Sequence, residues 1–434
     1  MTELAPTRPE DRLATIDAMR GVALFGILVV NMMYFAWPHY AAPAGIVPWS
    51  MPIDRIADGL VTFLFRHKFI SMFALLFGYG LSAGAHRADG KGLPAARVLA
   101  RRLAVLAGFG IVHAVFLWAH DILLYFALAG FVFLIFLRCS QITLLRWAAG
   151  ILAIPVAVGL ALAALPVVSA ETAGLLGEHV AEERAAYASR YEAAFEVYAT
   201  GDYAAVTRQR LVDIRGKLLG GYAPARLALI VPMVLIGAWL QRKGFPFEPD
   251  GRMFRPGRGP VQETAARSPR EPDRVEAAAT SSAGGRRWMV AAGVAAVALS
   301  VAYALANVWT DPLELSWGLA ARTAGTYVAA PVLCLTYVSL IAAALRSPTL
   351  RRLSRPVVAA GRLSLSHYLT QSLICTTLFY GYGFGLFGRV GPAAGLALAA
   401  GIYAGQVLAG ALLLRRARYG PAEYLWRRLT YRRS

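Results

Sequence analysis

The sequence predicts an all-α, polytopic integral membrane protein with about ten transmembrane helices in two halves and both termini in the cytoplasm. First, 57% of the 434 residues are hydrophobic and 16% are charged, a balance outside that of soluble globular proteins. Second, the hydrophobic residues come in blocks that are long enough to cross a hydrocarbon core as helices. Third, Lys and Arg concentrate in every second gap between those blocks, which is the positive-inside pattern.

The N-terminal membrane half is predicted over residues 13–240, after a polar leader at 1–12 that lacks a signal-peptide cleavage pattern. Its block from Ala57 to Gly84 is too long for one straight crossing, so we expect its first turns to lie along the interface or to enter a cavity. Residues 170–222 are a polar insert with apolar residues at helical spacing, which predicts an extracytoplasmic helical cap. The other spans of this half are expected at Gly21–Trp37, Leu103–Ala119, Ile122–Leu137, Ile142–Val168 and Ala225–Leu240.

The C-terminal membrane half is predicted over residues 288–434. Residues 241–287 separate the two halves and are rich in Arg, Pro, Gly and Ser, with few large apolar residues to bury. That composition predicts a disordered cytoplasmic loop. The spans of the second half are expected at Trp288–Val308, Thr323–Leu345, Val357–Tyr380 and Gly391–Leu414.

The formal net charge of +19 indicates topology and contact with anionic lipid headgroups, because the basic residues lie between the apolar blocks. The expected partners are therefore membrane lipids and a small-molecule, lipid or glycan substrate, with no nucleic acid. Cys139, Cys334 and Cys375 are far apart and lack metal-ligand spacing, so neither a disulfide nor a metal site is predicted.

His113 is the leading candidate for a functional residue. Counted from Arg101 and Arg102 at about 1.5 Å per residue, it lies roughly 15 Å deep, near the middle of the membrane. An ionisable group at that depth is a functional-site hypothesis, with His113 as a general base and Asp121 in the following turn as its partner. Their direct contact requires the helix to end and fold back at this turn. The alternative is a neutral His113 that joins two helices by a hydrogen bond.

Other polar side chains map to the entrance or the middle of the predicted spans. Their depth predicts that the first four spans and the ninth enclose one polar cavity, because each group would be costly against lipid. The alternatives are structural: a helix-start acid, snorkelling or headgroup-level basic residues, and an interhelical seam of hydrogen bonds. The candidates for this cavity are Asp17, Arg20, Asn31, His67, Lys68, His367 and Gln371.

Several stretches resemble the recurrent motifs of the bacterial YeiB family, whose C-terminal half is catalogued as a domain of unknown function, number 418. They are TIDAMRGVALFGILVVN, KFISMFALLFGYG, GIVHAVFLWAHDILLYFALAG, GRLSLSHYLTQSLIC and GPAEYLWRRLTYRR. The resemblance implies a multi-pass protein of the bacterial cytoplasmic (inner) membrane. His113 and Asp121 match the YeiB pattern, whereas at His367 the family's motif more often has Asn.

The resemblance also implies an activity, because the family is grouped with transmembrane acyltransferases that resemble heparan-alpha-glucosaminide N-acetyltransferase. Members of that group take an acyl group from a cytoplasmic donor and pass it to an acceptor across the membrane. Asp17, Arg20 and Gly21 match the D-x-x-R-G entrance of the wider group. No permanently bound cofactor is expected, and an acyl-CoA-type compound is the expected donor.

Arginines at the predicted cytoplasmic ends of two spans are candidates for holding the phosphates of such a donor. The alternative is that they are ordinary positive-inside residues. These candidates are Arg101, Arg102, Arg351, Arg352 and Arg355.

Two further functional classes remain open at this stage. A transporter or exporter would use the same mid-membrane polar groups to bind a small or lipidic substrate without covalent chemistry. A structural or sensory protein would use them for packing alone.

The charge alternation predicts that reporter fusions after Leu240 and after Leu414 both report a cytoplasmic location. The measurement is the activity of a paired cytoplasmic and periplasmic reporter at each site. A periplasmic signal at either position would contradict the ten-span topology.

Overall fold

A computed structural model of the chain describes residues 14–49, 51–168, 170–245, 293–307, 313 and 316–430. These residues form helices and connecting turns, without a strand among them, which confirms the all-α, polytopic membrane fold. Within the described ranges, seven helical segments are long and apolar enough to cross a membrane. They are Ala14–Ala36, Pro52–Asp89, Ala95–Phe116, Gln141–Leu165, Tyr222–Arg242, Trp317–Ala344 and Pro392–Arg416.

The helices of the first half are α1 (Ala14–Ala36), α2 (Pro52–Leu64), α3 (Lys68–Asp89), α4 (Ala95–Phe116), α5 (Leu123–Ile135), α6 (Gln141–Val168), α7 (Ala170–Thr200), α8 (Tyr203–Leu219) and α9 (Tyr222–Arg242). Those of the second half are α10 (Gly293–Asn307), α11 (Trp317–Ala324), α12 (Ala330–Ala344), α13 (Pro348–Leu353), α14 (Arg355–Arg362), α15 (Ser364–Phe379), α16 (Pro392–Arg416) and α17 (Pro421–Thr430). A π-helical segment, Gly325–Ala329, joins α11 to α12.

Most predicted spans overlap helices, but α1 and α4 begin seven and eight residues before the predicted starts, and the fourth and ninth spans also differ. The fourth span is the 13-residue helix α5, and the ninth is divided at Leu363 into α14 and α15. The ten-span count and the location of the termini stay predictions. The predicted leader at 1–12 lies outside the described residues, as does the predicted disordered loop beyond residue 245.

The long second block breaks where its basic residues lie, as its excess length suggested. His67 has a φ of 68°, in the left-handed region, and separates α2 from α3. A side chain with a Cβ adopts this backbone conformation at an energetic cost, so the break must be held by its surroundings. The result is that Lys68 starts a new helix and points into protein, where its side chain is fully buried.

Close packing of α3 against α9 forms the centre of the first half. A Cβ on Gly78 would lie 2.0 Å from the Val234 carbonyl oxygen, and one on Gly237 would lie 1.9 Å from the Leu75 carbonyl oxygen. Lipid tails are as apolar as Leu side chains, so helices in a membrane gain stability from such close contact between backbones. The two glycines are therefore requirements of the packing.

Gly237→Ala is expected to destabilise the protein by about 1–3 kcal/mol, because the new methyl group must push α3 and α9 apart. The matched control is Gly405→Ala on α16, where a Cβ meets no atom within 4 Å and helix propensity favours alanine. Denaturation in detergent measures both variants. Equal loss of stability in the two would contradict the packing explanation.

Candidate functional site

The turn between α4 and α5 brings Asp121 back to His113. Helix α4 ends at Phe116, and the amides of Leu117 and Trp118 both donate to the carbonyl oxygen of His113, at 2.9 and 2.8 Å. The Trp118 ring is buried and stacks on Phe35 with ring centroids 3.9 Å apart. A turn fixed in this way makes the fold-back that the His113–Asp121 contact requires.

His113 lies between a carboxylate and a hydroxyl. Its Nδ1 is 2.9 Å from Asp121 Oδ1, and its Nε2 is 2.8 Å from Ser372 Oγ. The three residues are buried, with exposed fractions of 1%, 4% and 1% for His113, Asp121 and Ser372. The Nδ1–Oδ1 contact is short, but neither atom has a partner at hydrogen-bonding angles among the described residues, so a small ring rotation is needed to align it. We call these three residues the triad.

The second carboxylate oxygen of Asp121 anchors the start of α5. Oδ2 accepts a hydrogen bond of 2.7 Å from the Leu124 amide, which also places a negative charge at a helix N-terminus. Gly110 makes room for this arrangement, because a Cβ there would lie 2.5 Å from the Leu124 nitrogen and 2.9 Å from Oδ2. The orientation of Asp121 thus depends on the close approach of α4 to α5.

Ser372 is positioned by α15, whose N-terminus is capped from the C-terminal motif. The amides of Leu365 and Ser366 donate to Glu423 Oε1 at 2.8 and 3.0 Å, and the Ser366 hydroxyl donates to Glu423 Oε2. A carboxylate at this end satisfies free backbone amides and complements the helix dipole. Glu423 therefore fixes the start of the helix that carries the hydroxyl of the triad.

A cavity of about 330 Å³ leads towards the triad. Its polar end lies among helix ends that the charge pattern places in the cytoplasm, and it is lined there by Asp17, Glu423 and the arginines Arg20, Arg87, Arg102, Arg362 and Arg427. Its body is apolar and includes Leu24, Ile27, Phe73, Phe77, Leu106 and Phe126. We call this the arginine cavity. A phosphate-bearing head with an apolar tail matches its lining.

Tyr368 separates the arginine cavity from His113. The phenol lines the cavity, and its ring centroid is 4.9 Å from that of His113. Its hydroxyl oxygen accepts a hydrogen bond of 3.2 Å from the Ile122 amide, which leaves the hydroxyl proton for donation to a group in the cavity. Tyr368 is thus both a wall and a potential hydrogen-bond donor.

Three of the predicted site residues line the arginine cavity: Asp17, Arg20 and Arg102. Asp17 Oδ1 accepts from Arg20 Nη1 at 3.1 Å, as the i, i+3 spacing predicted. The other four candidates for binding donor phosphates are exposed and do not line it: Arg101, Arg351, Arg352 and Arg355.

The remaining candidates for the predicted polar cavity do not line the arginine cavity. Asn31 is partly buried and does not line the arginine cavity. His67 Nε2 is 3.1 Å from the hydroxyl of Tyr303 on α10. His367 and Gln371 face α16, where Gln371 Nε2 donates to Gln406 Oε1 at 2.9 Å. This arrangement fits the interhelical seam of hydrogen bonds; the roles of these residues stay predictions.

Sequence reasoning missed Ser372, Tyr368 and Glu423. A signal for the first two was present, because Tyr368 and Ser372 are also spaced i, i+4 and form a second polar stripe beside His367 and Gln371. The prediction followed the stripe of His367 and Gln371 because that stripe is more polar. Tertiary packing, which periodicity does not show, decides which stripe points towards His113.

The chain is similar over nearly its whole length to bacterial proteins of the YeiB type. It is 29% identical to the uncharacterized protein YxaH of Bacillus subtilis (strain 168), over 99% of this chain and 97% of the relative. It is 27% identical to the uncharacterized protein YeiB of Escherichia coli (strain K12), over 97% of each chain. Residues 274–433 match the family described as "Protein of unknown function (DUF418)". These findings confirm the YeiB-like resemblance. No solved structure matches the chain.

A cysteine placed in the arginine cavity tests its access from the cytoplasm. In a Cys139→Ser background, Ala83→Cys should react with a membrane-impermeant maleimide in inside-out vesicles, because Ala83 lines the cavity. Ala74→Cys is the control on the same helix, since Ala74 is fully buried and does not line the cavity. Mass spectrometry measures the label. Reaction of Ala83→Cys only in right-side-out vesicles would contradict the assigned opening.

Proposed function

We propose that this YeiB-like membrane protein transfers an acyl group from a cytoplasmic acyl-CoA-type donor to an acceptor at or across the bacterial inner membrane. The observation that carries the proposal is the contact series Asp121, His113 and Ser372. A carboxylate, an imidazole and a hydroxyl in that order are the groups that enzymes use to activate a serine for acyl transfer. Enclosing three polar groups at this depth is costly, which favours a functional reason for them.

The proposed reaction has two steps. In the first, His113 Nε2 takes the Ser372 proton while Ser372 Oγ attacks the thioester carbonyl carbon; the C–S bond breaks and the thiolate leaves with the proton from the imidazolium. In the second, a hydroxyl or amine of the acceptor attacks the acyl-serine and gives its proton to His113, which returns a proton to Ser372 Oγ. Asp121 stabilises the imidazolium in both steps.

The arginine cavity supports the donor side of this scheme. The arginines at its polar end would contact the donor's phosphates, and its apolar body would take the acyl-bearing arm. Tyr368, at the inner end, would donate its hydroxyl proton to the developing oxyanion. Because Ser372 does not line the cavity, the reaction includes a rotation of the Tyr368 side chain that joins the two spaces.

The test uses inside-out vesicles that contain the full chain, supplied with a radiolabelled acyl-CoA. His113→Ala and Ser372→Ala should each lower acyl transfer roughly 100-fold or more, because both remove a group that acts in the transition state. Donor binding should stay within a few-fold. Mass spectrometry of the wild type with donor alone should find the acyl group on Ser372.

His367→Ala is the matched control, since it removes an imidazole from the same helix as Ser372 but outside the triad. It should change acyl transfer by only a few-fold. A large loss in His367→Ala with none in His113→Ala would contradict the proposal. Retained transfer in Ser372→Ala, with loss in His113→Ala, would assign His113 to direct activation of the acceptor.

A transporter is the second candidate, favoured by a cavity that ends at a polar partition near the middle of the membrane. In that case the His113→Ala variant would show a changed substrate affinity, and the wild type would form no acylated product. Product analysis therefore separates the two classes.

A further inference from the structure

A second polar region lies at the opposite ends of the helices, on the side that the charge pattern places outside the cytoplasm. It is formed by the turn after α4, the start of α9, the inner face of α8 and the junction of α2 with α3. We call this region the basic chamber and define it by its cations Arg66, Lys68, Lys217 and Arg226 and its rings His67, His120, Tyr222 and Tyr303.

Two of the cations flank the turn that leads into the triad. Lys217 Nζ donates to the Ala119 carbonyl oxygen at 3.1 Å. The next residue, His120, meets the ring of Tyr222 edge-on, with centroids 6.5 Å apart. Arg226 donates to the Tyr222 hydroxyl and lies over its ring at 5.2 Å. The basic chamber therefore begins one residue before Asp121.

The other two cations come from the junction of α2 with α3. Arg66 forms an ion pair of 3.3 Å with Asp58, and Lys68 Nζ donates to a backbone carbonyl oxygen at 3.0 Å. The charges of Arg226, Arg66 and Lys68 all act on the ring of His67. The start of α9 and the α2–α3 junction thus face the same space.

Helix α8 turns its charged face towards the protein. Arg210, Asp213 and Lys217 share that face and are nearly inaccessible. The opposite face carries large exposed apolar residues: Leu211, Val212, Leu218 and Leu219. Arg208 and Arg215 are also exposed on that side, so the outer face is mixed, whereas burial of the inner face places Lys217 inside the protein.

Among the described residues, three carboxylates lie near the four cations of the chamber: Asp58, Asp213 and, on the side of the triad, Asp121, whose charge acts on Tyr368 together with that of Arg226. The oxygens of Asp213 already accept hydrogen bonds from Tyr40, Tyr198 and Gln209. Lys68, Lys217 and Arg226 donate to carbonyl or phenol oxygens, as their hydrogen bonds above show. The cations therefore outnumber the carboxylates, and keeping the buried Lys68 and Lys217 charged is costly without an anion beside them.

The groups outside the membrane spans respond to this shortage of negative charge, because their protonated forms are disfavoured. Burial lowers the pKa of Lys217 to about 7, with Asp213 acting in the opposite direction and Arg226 in the same direction. Burial also lowers the pKa of His120, and the charge of Lys217 adds to the effect. An anion between these groups would favour their protonated forms.

We propose that the basic chamber binds a phosphate group, and that this phosphate belongs to the acceptor of the acyl transfer. Arginine and lysine side chains are the usual ligands of phosphate, and the excess of positive charge suits its negative charge. The phosphate is carried by a soluble phosphate ester or by a lipid headgroup. The assignment of this phosphate to the acyl acceptor rests on the proposed function, whereas the binding of phosphate itself does not.

The experiment measures thermal unfolding of the full chain in neutral detergent, with inorganic phosphate titrated against chloride at matched ionic strength. A saturable rise of a few degrees is expected for the wild type, because a ligand that binds only the folded state stabilises it. Arg226→Gln and Lys217→Met should lose this rise. Arg215→Gln should retain it, since Arg215 lies on the same helix as Lys217 but is exposed.

The Arg102→Gln variant distinguishes phosphate binding in the basic chamber from phosphate binding in the arginine cavity, whose arginines could also bind phosphate. A rise that Arg102→Gln abolishes and Arg226→Gln retains would overturn the proposal. If the chamber variants do not fold, phosphate titration by calorimetry of the wild type and of Arg102→Gln gives the same decision, since chamber binding predicts saturable heat in both.

Nanodiscs of phosphatidylglycerol and phosphatidylcholine distinguish the source of the phosphate. Retention of phosphatidylglycerol in native mass spectra, reduced in Arg226→Gln, would assign a lipid headgroup. A response to inorganic phosphate without lipid retention would assign a soluble ester. The absence of both would overturn the proposal. A phosphate response in wild type and His113→Ala, with no acyl transfer by wild type, would defeat only the proposed function.

Discussion

A polar group enclosed by hydrocarbon must find its partner within the protein, and this constraint determines the interior described above. Asp121 gives one oxygen to His113 and the other to a helix amide. Lys68 and Lys217 reach backbone carbonyl oxygens, and the free amides at the start of α15 reach Glu423. The contacts of Lys217 and Glu423 join segments that are 98 and 58 residues apart in the sequence. The polar interior consequently fixes how the helices are placed, beyond what apolar packing specifies.

The turn after α4 belongs to both polar regions. Ala119 and His120 take part in the basic chamber, whereas Ile122 and Leu123 line the arginine cavity. Asp121 lies between them and holds the imidazole. A shift of this short segment would alter both regions together. In the proposed reaction, one substrate would arrive from each side of this turn and only the transferred group would pass it.

The spans could be predicted from the sequence because their signal is local. The apolar blocks predicted α6, α9 and α16 to within three residues at each end, whereas the short α5 depends on a turn held by tertiary contacts. The division of the ninth span into α14 and α15 also depends on a tertiary contact, because the residue that caps the start of α15 lies on α17.

The candidate site shows the same limit. The contact between His113 and Asp121 could be anticipated because one turn joins them in sequence. Ser372 is 259 residues from His113 in the sequence, so no local signal joins them. Helix α15 also has polar i, i+4 pairs on two adjacent faces, and periodicity alone does not show which face points inward. The inward charges of α8 were missed because its segment was interpreted as a surface cap.

The capping of α15 by Glu423 has a consequence for how the protein is made. The carboxylate lies 58 residues after the Leu365 amide that it accepts from, so the ribosome synthesises α16 and the start of α17 before it appears. Until then the start of α15 lacks the acceptor for its free amides, and the helix that presents Ser372 is held only by its neighbours. The Ser372 hydroxyl therefore takes its final position only after α16 and the start of α17 have been synthesised.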